Sequence, residues 1–149
     1  EIVPAVEVKM PTSHPLGIIG EVEPIYILPM KTPFEARIDT GAESSSIDVE
    51  NVRQFERDGE KWVSFTVKNE QNGEVHRFEK KIEKTTTIKR LHKSEKRVVV
   101  MMDVKFGDQI INANFSLANR EKFEYQVLVG RNILTGRAVV DTSLSHTLN

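Results

Sequence analysis

The residues best suited to chemistry are Asp39, Thr40 and Gly41, in the stretch FEARIDTGAESSSI at 34–47. Asp close before Gly is ordinary turn chemistry: the short carboxylate accepts a backbone hydrogen bond two residues on, and Gly relaxes the dihedral limits. A carboxylate held at the end of a rigid element is also what a pair of catalytic aspartates requires. Phe34, Ala36 and Ile38 alternate with Glu35, Arg37 and Asp39, so a strand with one apolar face would deliver Asp39 at its end. Gly41 would let backbone come close, Ala42 and Glu43 continue the turn, and Ser44, Ser45 and Ser46 follow as a hydroxyl-rich run. Those serines make no nucleophile of their own, because no histidine adjoins them and the Gly-x-Ser-x-Gly setting is missing.

The elements that must position this segment read as β. Strand patterns occur at 18–22, 25–28, 34–39, 61–68, 75–82, 97–104, 109–117, 125–130 and 138–141, with Asn72-Gly73 at the tip of one hairpin. Helix signal is confined to residues 131–135, where Arg131 and Asn132 would begin or cap the turn. Many short strands with glycines at the corners predict a small closed antiparallel barrel carrying one short C-terminal helix. Residues 1–16 hold three of the six prolines and read as a flexible arm or edge strand, leaving 17–149 as a single domain. Met101 and Met102 lie in a strand pattern and read as core.

Composition narrows the function classes. With 21 basic against 22 acidic residues and a formal charge of −1, the chain lacks the basic surplus of a dedicated nucleic-acid binder. The stretch from Lys80 to Arg97 is locally basic and reads as a solvated hairpin or, less simply, an anion-binding patch. No apolar run reaches the length of a membrane-spanning helix. Cysteine is absent, and His14, His76, His92 and His146 are scattered, so no compact metal-ligand signature and no metal site is expected. A Gly-rich nucleotide loop is missing too, and no cofactor is expected. A chain beginning at Glu1 is what signal-peptide removal, and an exported or periplasmic setting, would leave; trimming of a cytoplasmic protein would leave the same.

Two distant segments, ARIDTGAESSSI and YQVLVGRNILTGRAVVD, together resemble the retropepsin pattern of strand, Asp-Thr-Gly-Ala, strand, and a hydrophobic run into Gly-Arg-Asn and a short helix. The order from IGEVEPIYILP to VVDTSLS resembles more closely a bacterial retropepsin-like family labelled as ATP-dependent zinc proteases. That resemblance implies an acid-protease barrel and an aspartic endopeptidase, with zinc and ATP receiving no support from the residues present.

Aspartic peptidase chemistry uses two carboxylates that share a proton and activate a water. One Asp-Thr-Gly per chain makes a homodimer the economical solution, with Asp39 of each copy meeting at the two-fold axis. In that reading Thr40 steadies the paired loops, Gly41 allows close packing, Ala42 lines the wall, and Arg131 buttresses the loop through Glu43 or another acid, with Asn132 in support. An internal pair of Asp39 with Asp141 is weaker, since Ser143 stands where Gly would be wanted. The peptide or protein substrate needs a cover; the hairpin tipped by Asn72 and Gly73 is one candidate, and the glycine-free segment 83–97 is another. The alternative function is a non-catalytic peptide-binding or structural module on the same fold.

Overall fold

The computed structural model describes residues 14–119 and 124–148. The expected N-terminal arm therefore lies largely outside the described residues, and so does part of the segment leading into YQVLVG.

A mixed sheet forms the body. Its strand order is β10 (Gln109–Ala118), β4 (Ser45–Asp48), β11 (Val127–Val129), β3 (Phe34–Ile38), β2 (Val22–Ile27), β9 (Lys93–Phe106) and β8 (Lys84–Arg90), and the long β9 also pairs with β10. β5 (Glu50–Arg57), β6 (Glu60–Lys68) and β7 (Val75–Lys81) make a separate three-stranded sheet, and β1 (Gly17–Ile19) pairs with β12 (Ala138–Val140). One short helix, α1 (Arg131–Leu134), follows β11.

The expected single closed antiparallel barrel is thus corrected. Three pairings run parallel: β1 with β12, β4 with β10, and β3 with β11. The strands divide among three sheets, and in the main one β8 is an edge strand hydrogen-bonded only to β9, so the strands do not make the single antiparallel wall expected. Alternation along a strand fixes which face is buried but carries no information on its neighbour's direction, so sequence periodicity could not separate the two arrangements.

Alternation does dictate the core. Ile25, Ile27, Ala36, Ile47, Val100, Met102, Phe115, Val127 and Val129 point inward and lose essentially all solvent contact. The three-stranded sheet adds Val63, Phe65 and Val67 from β6, and Phe65 stacks on Phe78 of β7 with ring centroids 5.4 Å apart. Burying each large apolar side chain contributes about 1.5–3 kcal/mol, so this inward set dominates the stabilisation. Met102 sits in the core as the strand pattern predicts, while Met101 is half-buried on the opposite face.

The C-terminal residues are strapped across β2. Glu23 is fully buried, and its carboxylate accepts from Gly20 N–H (2.7 Å), Thr147 N–H (3.1 Å), the Thr147 hydroxyl (2.8 Å) and Leu148 N–H (2.8 Å). Burial alone would raise its pKa; the hydrogen bonds together outweigh that and hold it below the ordinary carboxylate range. Gly20 has no room for a side chain, because a Cβ would stand 2.2 Å from the Leu144 carbonyl oxygen. Asp141 shapes the preceding turn by accepting from the N–H and hydroxyl of Ser143 (2.9 and 2.6 Å), in keeping with a turn role rather than an internal catalytic pair.

Candidate functional site

β3 delivers Asp39 at its end, as its alternation requires. The Asp39 N–H donates to the Val129 carbonyl (2.9 Å), and Asp39 Oδ1 accepts from Gly41 N–H (2.9 Å), which is the Asx-turn geometry. Asp39 is half-buried, while Thr40 and Gly41 are exposed. The turn is fastened to α1 through its backbone: the Arg131 N–H donates to Ala42 O (2.8 Å) and the Asn132 N–H to Glu43 O (3.1 Å). The Arg131 guanidinium donates to the Thr40 carbonyl (2.9 Å), so its recorded hydrogen bond reaches backbone and not the Glu43 carboxylate.

Asn132 ties three elements together. Its Oδ1 accepts from the Ser45 hydroxyl (2.7 Å), and its Nδ2 donates to the Asn114 carbonyl (2.9 Å) on β10. The Ser45 Oγ in turn accepts from Gly130 N–H (3.0 Å). Asn132 does not cap α1; that position belongs to Gly130. Gly130 is also where backbones meet most closely here: a Cβ would lie 2.4 Å from Ser44 O and 2.9 Å from Ala42 O. At Gly41 the nearest atom would be Asp39 Oδ1 at 3.2 Å, so within the chain the tighter backbone contact is at Gly130.

Beside this turn opens a cavity of about 740 Å³. Its floor is one row of mutually opposed residues crossing five strands: Lys84 on β8, Val99 on β9, Ser116 on β10, Ser46 on β4 and Leu128 on β11. Opposed residues share a face, which is why this mixed row of Lys84, Ser116 and Ser46 with Val99 and Leu128 lies on one side and the core on the other. Thr86, Ile88 and Arg97 of the β8–β9 hairpin complete one wall, and Ala42, Glu43, Arg131 and Asn132 the other. Three cations, Lys84, Arg97 and Arg131, thus border the cavity against one carboxylate, Glu43. Asp39 does not line it.

Two segments were candidates for a cover, and they stand differently toward this cavity. Asn72 and Gly73 lie in a turn whose next residue, Glu74, accepts from Lys31 N–H (2.8 Å), Thr32 N–H (2.9 Å) and the Thr32 hydroxyl. Those bonds hold the Glu74 carboxyl below its ordinary pKa, the Thr32 hydroxyl contributing most. The turn is thereby docked on residues 31–32, and neither Asn72 nor Gly73 lines the cavity. The β8–β9 hairpin does line it. Lys84, Thr86, Arg97, Asn114 and Ser116 escaped the sequence reading as individual site residues; the basic character of 80–97 pointed toward Lys84 and Arg97, and nothing pointed toward Asn114 and Ser116. Among the described residues, no group of three or more His, Asp or Glu side chains could hold a metal ion.

Comparison with known proteins redirects the functional reading. A "Probable alpha-L-glutamate ligase" of Shewanella pealeana is 36% identical over 135 residues, covering 88% of this chain and 30% of that protein. One of the same name from Desulfotalea psychrophila is 32% identical over 128 residues, covering 77% and 25% respectively. The chain therefore spans under a third of the length of these curated relatives. A crystal structure of a Legionella pneumophila protein of unknown function superposes with a TM-score of 0.76 at 30% identity, covering 89% of this chain and 98% of that one.

Two expectations are corrected accordingly: the resemblance to ATP-dependent zinc proteases gives way to the family model below, and an aspartic endopeptidase working through paired Asp39 carboxylates draws no support from relatives that bear a ligase name. The curated relatives bear a ligase name, and the solved neighbour carries no assigned function. A family model described as "RimB-like: Retropepsin-like aspartic endopeptidase RimB" matches residues 18–148, and the chain belongs to this RimB-like family.

Proposed function

We propose that this chain recognises glutamyl peptides, as a unit that works alongside alpha-L-glutamate ligation. The relatives' name supplies one half of the argument: a ligase of alpha-L-glutamate joins glutamate in a peptide-like link. The family description supplies the other, since an endopeptidase must hold an extended peptide. A reaction that makes such a link and one that breaks it share a ligand, a chain of glutamyl residues dense in carboxylates. The observation that carries the reading is the cavity bordered by Lys84, Arg97 and Arg131, whose charge complements that ligand. Its volume lies within the range of ordinary ligand sites. No catalytic step is assigned to Asp39.

Titration calorimetry with hexa-L-glutamate, at low and at moderate salt, tests this. The peptide should bind, more weakly as salt screens the cations, while hexa-alanine should not. Arg97→Gln should weaken binding by roughly tenfold or more, the worth of a charge-assisted hydrogen bond. Equal affinity for the two peptides, or none for either, would remove the proposal.

We also propose that the chain associates as a homodimer, as its single Asp-Thr-Gly turn led us to expect. Support comes from the exposed Thr40–Gly41 turn and from Ile18 and Val139, large apolar residues left 61% and 46% exposed on the β1–β12 pair. A two-stranded sheet is marginal alone, and a second copy would cover those side chains.

A further inference from the structure

The sheet of β5, β6 and β7 turns Val63, Phe65 and Val67 into the core, so the alternate residues of β6 face outward. Cross-strand register fills in that outer face: Arg53 and Glu79 stand opposite Ser64, and Glu50 and Arg77 opposite Thr66. Ser64 and Thr66 are buried even there, with the Arg77 guanidinium bonded to both. Its Nη1 donates to the Thr66 hydroxyl (2.7 Å) and the Asn51 carbonyl (3.2 Å), and its Nη2 to the Ser64 hydroxyl (2.9 Å).

All three partners are neutral oxygens, so the charge of Arg77 meets no carboxylate, and two of its five N–H donors are left over. Arg53, across from Ser64, has neither an ion pair nor a side-chain hydrogen bond among the described residues. Both arginines are exposed. Two neighbouring cations are already committed, Arg57 to Glu79 and Lys81 to Glu60, each at 2.9 Å. Glu79 is thereby taken, and Glu50 pairs with neither arginine. Like charges gathered around one serine repel each other, and an anion held by both would turn that repulsion into attraction.

We propose that Arg53 and Arg77 form a carboxylate-binding site on the outer face of this sheet, occupied by an acidic segment of a partner protein. A guanidinium presents a planar fork of donors that matches a carboxylate. Phosphate fits the same fork, but single-stranded nucleic acid also needs aromatic faces on which its bases stack. The rings on this face, Phe55 and Trp62, are already stacked by the Arg57 guanidinium, 5.2 and 4.7 Å from their centroids. A formal charge of −1 on the whole chain disfavours a duplex. Neither Arg53 nor Arg77 lines the cavity, so this site is separate from the one proposed for glutamyl peptides and stands without it.

Tetra-L-aspartate titrated into the isotope-labelled intact chain, with backbone amide resonances as the readout, tests the site. The amides of Arg53, Ser64 and Arg77 should shift saturably, with weaker binding at higher salt. Arg53→Gln removes no side-chain hydrogen bond or ion pair of the fold, and it should weaken the affinity read at Ser64 and Arg77 by roughly fivefold. Arg97→Gln, in the cavity wall, should leave that affinity unchanged. Shifts confined to cavity residues, no saturable shift at Ser64 and Arg77, or equal affinity in Arg53→Gln would each overturn the proposal and leave the glutamyl reading standing. Tighter binding of a single-stranded oligothymidylate of equal charge at these residues would overturn the acidic segment as the partner. The wild-type titration decides even if a variant fails to fold.

Discussion

At the scale of single residues, two glycines in the same neighbourhood have opposite duties. Gly41 follows Asp39 in a turn where a methyl would meet only the aspartate's own oxygen, at 3.2 Å. Gly130 lies against the carbonyls of Ser44 and Ala42, where a methyl cannot be admitted without moving backbone. Gly41→Ala should therefore change stability by less than about 1 kcal/mol, whereas Gly130→Ala should cost about 1–3 kcal/mol or more, as overpacking does. Urea denaturation of the two variants checks this, and equal midpoints would contradict it. The contrast matters for the site because Gly130 sets the contact between α1 and the turn that walls the cavity.

At the scale of elements, the C-terminal strap depends on one carboxylate. Glu23 is ionised in the folded protein at pH values where the unfolded chain has begun to bind a proton, because its folded pKa is depressed. Its stabilisation is fully present above the ordinary glutamate value of about 4.3 and is lost as pH falls through the lower folded value. Glu23→Gln should destabilise the protein at neutral pH by about 1–3 kcal/mol, since four donors lose a charged acceptor. The difference between wild type and variant should shrink on acidification. Thermal melts at pH 7 and pH 3.5 measure it; a constant difference would show that the carboxylate's charge is not what holds the strap. The strap also reaches the site's elements: Leu144 O accepts from Glu21 N–H, and Glu21 O accepts from Ile38 N–H, one residue before Asp39.

At the scale of the whole molecule, several sheet edges are left among the described residues, β5, β7, β8 and the β1–β12 pair, and the last two bear on the cavity and on self-association. β8 carries Lys84 and Thr86 into the cavity, so its occupant is the peptide already proposed. The proposed self-association would use the β1–β12 pair and the exposed Thr40 turn. Sedimentation velocity at rising protein concentration should show a monomer passing into a dimer, and Ile18→Lys with Val139→Lys should shift it back toward monomer. Sedimentation independent of concentration would remove the homodimer, without touching the binding predictions. Among the described residues no helix is long and apolar enough to cross a membrane.

The sequence by itself determined the elements and the inward face of most of them. Alternation in FEARID placed Phe34, Ala36 and Ile38 in the core and Asp39 at a strand end, and Asn72-Gly73 marked its turn. It missed β5, which is exposed almost throughout and so shows no alternation, and β8, whose Thr-rich stretch merges into a charged run. Only the tertiary structure decided which strands run parallel, that Gly130 rather than Gly41 takes the tight contact, and that Lys84, Arg97 and Arg131 border one cavity. Those facts arise from pairings between residues tens of positions apart. Register and chain direction leave no mark on local periodicity, because a strand's pattern records which face is wet and not which neighbour lies beside it.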